Sequence, residues 1–359
     1  MLYRSELRKM APLKTVLLFC SLLLAFLCFL AFQNQTAAPG FDQPVYEWYM
    51  NRLEGELTPE KEQFLREEQS LIADTLSREG AMRQDFLDEK ITREEYSSYC
   101  LALNYAKIHA APLQLVMERY EYIRNFEAEV PEIHPVFLND IYWNRLLDCS
   151  PSSFNPFLLL FLSAAVTPIV YSERRNGVFP VLYASANGRG KTIQIKILAG
   201  VTLSSSASLI FSAAEYALLS FAYSLPLSSA PLQSLPSFSA VPGAVSLGGY
   251  YWILCVWRVL ASVLFCLLFL AVSSFARSLV SGLLLELCLL GVPLLFFSAA
   301  GRIRIFSPSS LANGSPLFSS YYLWGGFPSW AAAVLLMSAV CALCIRLIFL
   351  GYHRVHHKR

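Results

Sequence analysis

Few residues in this chain combine the type and the spacing that chemistry needs. The string Gly188-Arg189-Gly190-Lys191-Thr192 ends like a phosphate-binding loop, in which glycines let backbone amides cradle phosphates beside a lysine. The full pattern requires glycine at position 185, where this chain has Ser185. A buried strand should also precede such a loop, and here an apolar span and a charged loop do. No ATP binding by this chain is expected. Cys341 and Cys344 have redox or metal spacing, but they lie inside an apolar stretch without a second pair, so packing explains them. His353, His356 and His357 sit in a basic tail, which reads as an anchor at the membrane surface rather than a metal site. The chain has no H-E-x-x-H helix and no G-x-S-x-G turn. No enzyme, catalytic residue, metal or cofactor is expected.

Ionisable residues within apolar stretches carry more information, because each is expensive in hydrocarbon. Glu215 and Arg258 are each eight residues from the outer ends of neighbouring spans. At 1.5 Å per residue both lie roughly 12 Å deep, at matching depth on antiparallel helices. They are expected to form an ion pair, serving either as a staple between helices or along a transport path. Glu286 lies nearer the cytoplasmic side, where Arg346 could reach it or snorkel to the interface. Ser204, Ser205 and Ser206 suggest close helix packing.

The elements that hold these residues follow from composition. The 359 residues are 55% hydrophobic and 15% charged, with mean hydropathy +0.45. Soluble domains carry about 25% charge, and the 14% aromatic content excludes intrinsic disorder. Net charge is +2, yet residues 33–155 hold 22 acidic against 11 basic residues, and the remainder holds 4 against 17. This is a polar domain inserted into a membrane protein. Residues 15–32 are uncharged and long enough to span a bilayer. Their length and the lack of a cleavage site favour an anchor over a signal peptide. Further spans are predicted at 156–171, 193–223, 250–275, 279–299 and 329–350, six in all.

Orientation follows from basic residues in short loops. Arg4, Arg8, Lys9 and Lys14 precede the first span. Arg174, Arg175, Arg189, Lys191 and Lys196 fall between the second and third, and Arg277 between the fourth and fifth. Arg354, Lys358 and Arg359 close the chain, against only Arg302 and Arg304 in short outer loops. Residues 1–14 and the tail 351–359 are therefore placed in the cytoplasm, with 33–155 outside. That domain reads as helical: Thr58-Pro59 starts one helix, Thr92 and Glu95 form a capping box for another, and Pro112 breaks or kinks it. Gly80 can end the first. Phe64, Leu65, Leu71, Ile72 and Leu76, then Leu115, Val116, Tyr120 and Ile123, form its apolar stripes. The two external cysteines, Cys100 and Cys149, could form a disulfide, which spacing alone does not show. Residues 224–248, rich in Ser and Pro, read as an extended linker. Residues 300–328 either dip into the outer leaflet or form a plain loop. Two sequons, Asn34-Gln35-Thr36 and Asn313-Gly314-Ser315, would be external.

The segment 169–200 then invites comparison. Glu173, Gly177, Leu182, Ser185, Gly188-Arg189 and Lys196 stand in the order found between the second and third spans of type-2 ATP-binding-cassette permeases, which this chain resembles. Asn187 stands where that family often has proline. The opening of the polar domain, 51–65, is similar to bacterial members with large external insertions. The resemblance implies an all-α fold with six transmembrane helices, a helical extracellular domain after the first, and a five-helix domain over 156–350. It also implies that loop 172–192 is a coupling helix seated on a cytoplasmic ATPase subunit, with Glu173, Arg174, Arg175, Gly177, Gly188, Arg189, Lys191 and Lys196 as its residues. The expected partners are that ATPase, a second permease copy or paralogue, and the lipid bilayer, with no nucleic acid. The expected function is ATP-driven export across a bacterial cell membrane. The competing expectation is a non-transporting sensor whose external helices bind a ligand or partner.

Overall fold

The structure is a computed structural model of the whole chain and describes residues 2–35, 42–147, 155–175, 188–223, 225–276, 278–297, 306–319 and 327–354. Among these residues the regular structure is all helix, apart from two isolated bridges, Gly55 with Phe137 and Pro231 with Ser246. The chain forms two compact units. One comprises residues 1–31, 145–223 and 250–359, and the other residues 32–144 and 224–249.

The first is the membrane unit. It contains α1 (Leu2–Met10), α2 (Leu13–Gln35), and, numbered on past the five helices between Gln43 and Leu146, α8 (Pro156–Arg175) and α9 (Gly188–Tyr223). It continues with α10 (Leu247–Phe275), α11 (Leu279–Phe297), α12 (Pro308–Asn313), α13 (Ser315–Ser319) and α14 (Ser329–Arg354). Four segments are long and apolar enough to cross a membrane: Leu13–Phe32, Gly190–Ala222, Leu247–Phe275 and Ser329–Tyr352. The apolar parts of α8 and α11, Pro156–Tyr171 and Leu279–Gly291, are shorter. α10 is the most enclosed of the four long segments and α2 the least. Leu162, Val166, Phe211, Cys266 and Phe269 form the centre of the core. Phe19 and Phe26 attach α2 to it, Phe19 meeting Phe161 edge-on at 4.9 Å. At Gly200 an added Cβ would lie 3.0 Å from Cys266 Sγ, so glycine lets α9 and α10 approach closely. Ser204 is fully buried at the same contact, its carbonyl accepting from Ser262 Oγ at 3.2 Å, whereas Ser206 is exposed.

The N-terminus differs from the plain basic segment expected. Tyr3, Leu7 and Met10 recur at helical spacing and pack on Ile169, Ala199 and Leu203, so α1 is an amphipathic helix docked on α8 and α9. Tyr3 Oη donates to Thr202 Oγ1 at 2.9 Å.

The polar unit contains α3 (Gln43–Leu53), α4 (Pro59–Ser77), α5 (Glu79–Leu87), α6 (Arg93–Glu129) and α7 (Asp140–Leu146, which ends in the membrane unit). Thr58 caps α4, accepting from Lys61 N, and Thr92 with Glu95 forms a reciprocal capping box on α6. Its core is Tyr49, Met50 and Leu53 of α3, Leu65 and Ile72 of α4, and Val116, Tyr120 and Ile123 of α6. Three local features differ from the simplest reading of the sequence. Gly80 lies inside α5 rather than ending a helix, because α4 stops at Ser77 and the chain resumes helix at Glu79. α6 runs unbroken through Pro112, whose ring is buried beside Leu113 and Val116; burial there offsets the lost backbone bond. Leu71 and Leu115 point outward, 55% and 43% exposed.

The larger correction concerns residues 224–248. The described part, from residue 225, is folded core rather than extended linker. Leu232, Leu235 and Phe238 recur every third residue, the period of a 3₁₀ turn, and two such turns, Leu232–Ser234 and Pro236–Phe238, bury all three. Gln233 is fully buried and donates to Val241 O at 2.8 Å and Gly243 O at 2.7 Å. Tyr122 Oη donates to Gln233 O, Val136 N to Ser234 Oγ, and Trp143 Nε1 to Pro226 O, at 2.7, 3.0 and 2.8 Å. The polar domain is thus made of two chain segments, not the single stretch 33–155. Cys149 lies outside the described residues, and Cys100 is half-buried on α6.

Candidate functional sites in the membrane unit

The loop 172–192 is described only at its ends. Glu173, Arg174 and Arg175 form the last turn of α8, where cations suit the negative end of the helix dipole. Gly188, Arg189 and Lys191 open α9, and Lys191 is exposed. Basic residues in a first turn oppose the dipole, so that end is better stabilised by an acidic neighbour. Gly177, Leu182 and Ser185 lie outside the described residues.

Lys196 belongs to a different environment. It is 2% exposed, and its Nζ lies 3.2 Å from Glu6 Oε2, itself 3% exposed on α1. Lys9 Nζ lies 2.5 Å from the other oxygen. Burial pushes the Glu6 carboxyl up, but the Lys9 hydrogen bond and the Lys196 charge outweigh it, holding the group below the usual carboxylate range. Lys196 therefore clamps α1 to α9. Sequence reading missed Glu6, although it lies one position from the Tyr3–Leu7–Met10 stripe and is the only acid among the first forty-one residues.

The structure brings Glu215 and Arg258 together. Arg258 Nη1 lies 2.5 Å from Glu215 Oε2, joining α9 to α10. Nη2 reaches Leu146 O and Asn313 Oδ1, each at 3.4 Å. Asn313 is 5% exposed, so the second sequon is packed inside the protein. The next residue, Gly314, has φ +88°, and a Cβ there would lie 2.5 Å from Trp257 Cδ1. Trp257 Nε1 donates to Leu311 O at 2.8 Å. α12 and α13 are thus seated against α10 by Trp257 and Arg258. Leu311 and Leu317 join Leu264, Ala333 and Met337 in one apolar cluster, which excludes the plain surface loop for residues 306–319.

Glu286 is 1% exposed. It accepts from Ser163 Oγ at 2.5 Å, Thr167 Oγ1 at 2.6 Å and Ser273 Oγ at 3.1 Å, tying α11 to α8 and α10. Arg346 is exposed, and among the described residues the partners of the Glu286 carboxyl are these three hydroxyls rather than Arg346. Cys344 is buried and Cys341 half-buried within α14. Among the described residues no three His, Cys, Asp or Glu side chains converge to hold a metal ion.

These observations define a class: an all-helical membrane protein with a folded polar unit and internally partnered charges. Searches of protein-family models, curated proteins and solved structures find no match to the chain.

Proposed function

We propose that the chain is the transmembrane permease subunit of an ATP-driven exporter, moving its substrate across the cell membrane with a separate cytoplasmic ATPase. The observation that carries this reading is the order Glu173, Gly177, Gly188-Arg189 and Lys196, resembling type-2 permeases, with α8 leading into the segment and α9 leading out. The buried Lys196 positions α9, which leaves Glu173, Arg174, Arg175, Arg189 and Lys191 as the ATPase-facing set.

Six spans suit the chain's connectivity. Residues 32–144 and 224–249 belong to one compact unit, so they share one side of a bilayer. The chain between them must cross an even number of times. With α9 as one crossing, α8 is the other, despite its shorter apolar run. α2, α10, α11 and α14 complete six, with the termini and loop 172–192 cytoplasmic and the polar unit outside. A chain without a nucleotide loop draws its energy from a partner. ATP binding would close an ATPase pair, shift the coupling segments and switch two permease copies between states. The sensor reading keeps one observation in its favour, the folded external unit itself.

Affinity purification of the tagged chain from native membranes in mild detergent tests the exporter reading. A stoichiometric ATPase, lost on Glu173→Arg or Arg189→Glu, is expected. No ATPase under conditions that preserve a known permease–ATPase complex would sink it in favour of the sensor.

A further inference from the structure

The polar unit carries a groove along α4 that the exporter reading does not use. Phe64, Glu67, Glu68, Ser70, Leu71 and Asp74 line it; their three- and four-residue spacing puts them on one side of the helix. Leu71 offers an apolar contact, 55% exposed. Asp74 is already satisfied, 2.9 Å from Arg78. The Glu67 carboxylate accepts from the Gln63 amide at 2.7 Å. Glu68 Oε1 accepts from Tyr105 Oη at 3.1 Å, but its Oε2 is shielded from solvent and has no hydrogen-bond donor among the described residues. A shielded carboxylate oxygen without a donor is costly, and rotation of the Glu68 side chain toward a ligand's N–H would relieve that cost.

The rim already shows which charge it favours. Arg52 Cζ lies 4.4 Å from the Phe64 ring centre and 5.7 Å from that of Trp48, so the chain's own guanidinium rests on these faces. Below, His109 stacks on Tyr105 at 3.8 Å and meets Tyr49 Oη at 2.8 Å. Burial pushes the His109 ring below its usual range against the opposing pull of Glu68 and Asp42, so it adds no positive charge at neutral pH. Residues 42–144 hold 21 acidic and 10 basic side chains, and residues 225–249 hold none of either.

We propose that this groove docks a cationic amphipathic peptide segment. An aliphatic side chain of the peptide rests on Leu71 and Phe64, while ammonium or guanidinium groups engage Glu68 and Glu67. The charge of the unit selects this occupant: a second copy, equally acidic, is repelled, as are anionic lipid headgroups, whereas a cationic chain is steered in. The proposal stands on the polar unit alone and is independent of the exporter reading.

The test uses the full-length protein in nanodiscs of phosphatidylcholine alone. The probe is a fluorescein-labelled amphipathic helix of lysine and leucine, about five turns long, followed by anisotropy, with empty nanodiscs as the blank. Saturable binding is expected to weaken about tenfold in Glu68→Gln and about tenfold in Leu71→Ser. In Glu94→Gln, which removes the same charge at the start of α6, it should stay within about twofold. Leu71 is exposed on α4 and Glu68 half-buried there, and matching thermal unfolding curves would show that the variants fold. Equal weakening by Glu94→Gln and Glu68→Gln would reduce the effect to net charge and overturn the proposal. So would undiminished binding in Leu71→Ser, or equal binding to empty nanodiscs.

Discussion

The two units treat charge in opposite ways. Among the described residues of the membrane unit, the buried acids and bases have specific partners on another helix: Glu215 with Arg258, Lys196 with Glu6, Glu286 with three hydroxyls. In the polar unit most pairs are surface contacts, such as Arg66 with Glu62 and Arg78 with Asp74 within α4 and its end, and Lys107 with Glu79 between α6 and α5. Arg119 with Asp140, at 2.7 Å and nearly buried, is the exception. The medium explains the contrast. Water screens the surface pairs to a net value near zero to 1 kcal/mol, whereas a charge stranded in hydrocarbon or a packed core costs several. Charge position is therefore architectural in one unit and mainly a matter of solubility and long-range attraction in the other.

Removing one partner of an internal pair should produce the largest effect. Arg258→Gln strands Glu215 and also frees Leu146 O and Asn313 Oδ1, so a loss of about 3–5 kcal/mol is expected, read as a drop in unfolding temperature in nanodiscs. Glu215→Gln combined with it should recover part of that loss. Single variants as stable as the parent would remove the contrast between the units.

Core truncation in the polar unit should cost nearly as much. Leu235→Ala, in the segment that composition marks as linker, should cost about 2–5 kcal/mol. Were that segment an extended tether, the substitution would be silent in thermal unfolding. The Glu6 clamp should show an intermediate, pH-dependent effect. Its carboxyl is held below the usual range, so its contribution is present at neutral pH and disappears as pH falls through that lowered value. Protease cleavage within α1 should accelerate only in acid for the parent, and already at neutral pH for Glu6→Gln.

Surface chemistry of the polar unit gives the smallest changes. Thr92→Ala removes the cap on α6 and should cost about 1 kcal/mol. Arg66→Ala should cost under about 0.5 kcal/mol, within error of the parent in urea titration. A large Arg66 effect would mean that the polar unit's surface pairs are not screened as described.

Legibility in the sequence follows the same physics. Apolar length and helix caps are local signals, so the long spans and the starts of α4 and α6 can be read directly. Matching depth places Glu215 opposite Arg258, because both positions are counted from span ends. The partners of Glu286 cannot be read, since Ser163, Thr167 and Ser273 are ordinary residues until three helices bring them together. Glu6 was hidden by the basic residues around it, whose topological meaning drew attention from the apolar stripe beneath. Residues 225–249 were misjudged because Ser and Pro describe flexibility only where nothing is buried. The three-residue recurrence of Leu232, Leu235 and Phe238 was the signal overlooked.

The proposed topology has six spans, with both polar segments on the outer side and loop 172–192 in the cytoplasm. Its most direct test is labelling by a membrane-impermeant maleimide in intact and lysed cells, using single cysteines in an otherwise cysteine-free chain at Gln84, Ser239 and Lys191, all exposed. The account predicts that positions 84 and 239 label in intact cells and position 191 only after lysis. Labelling of 191 in intact cells, or opposite behaviour of 84 and 239, would contradict it.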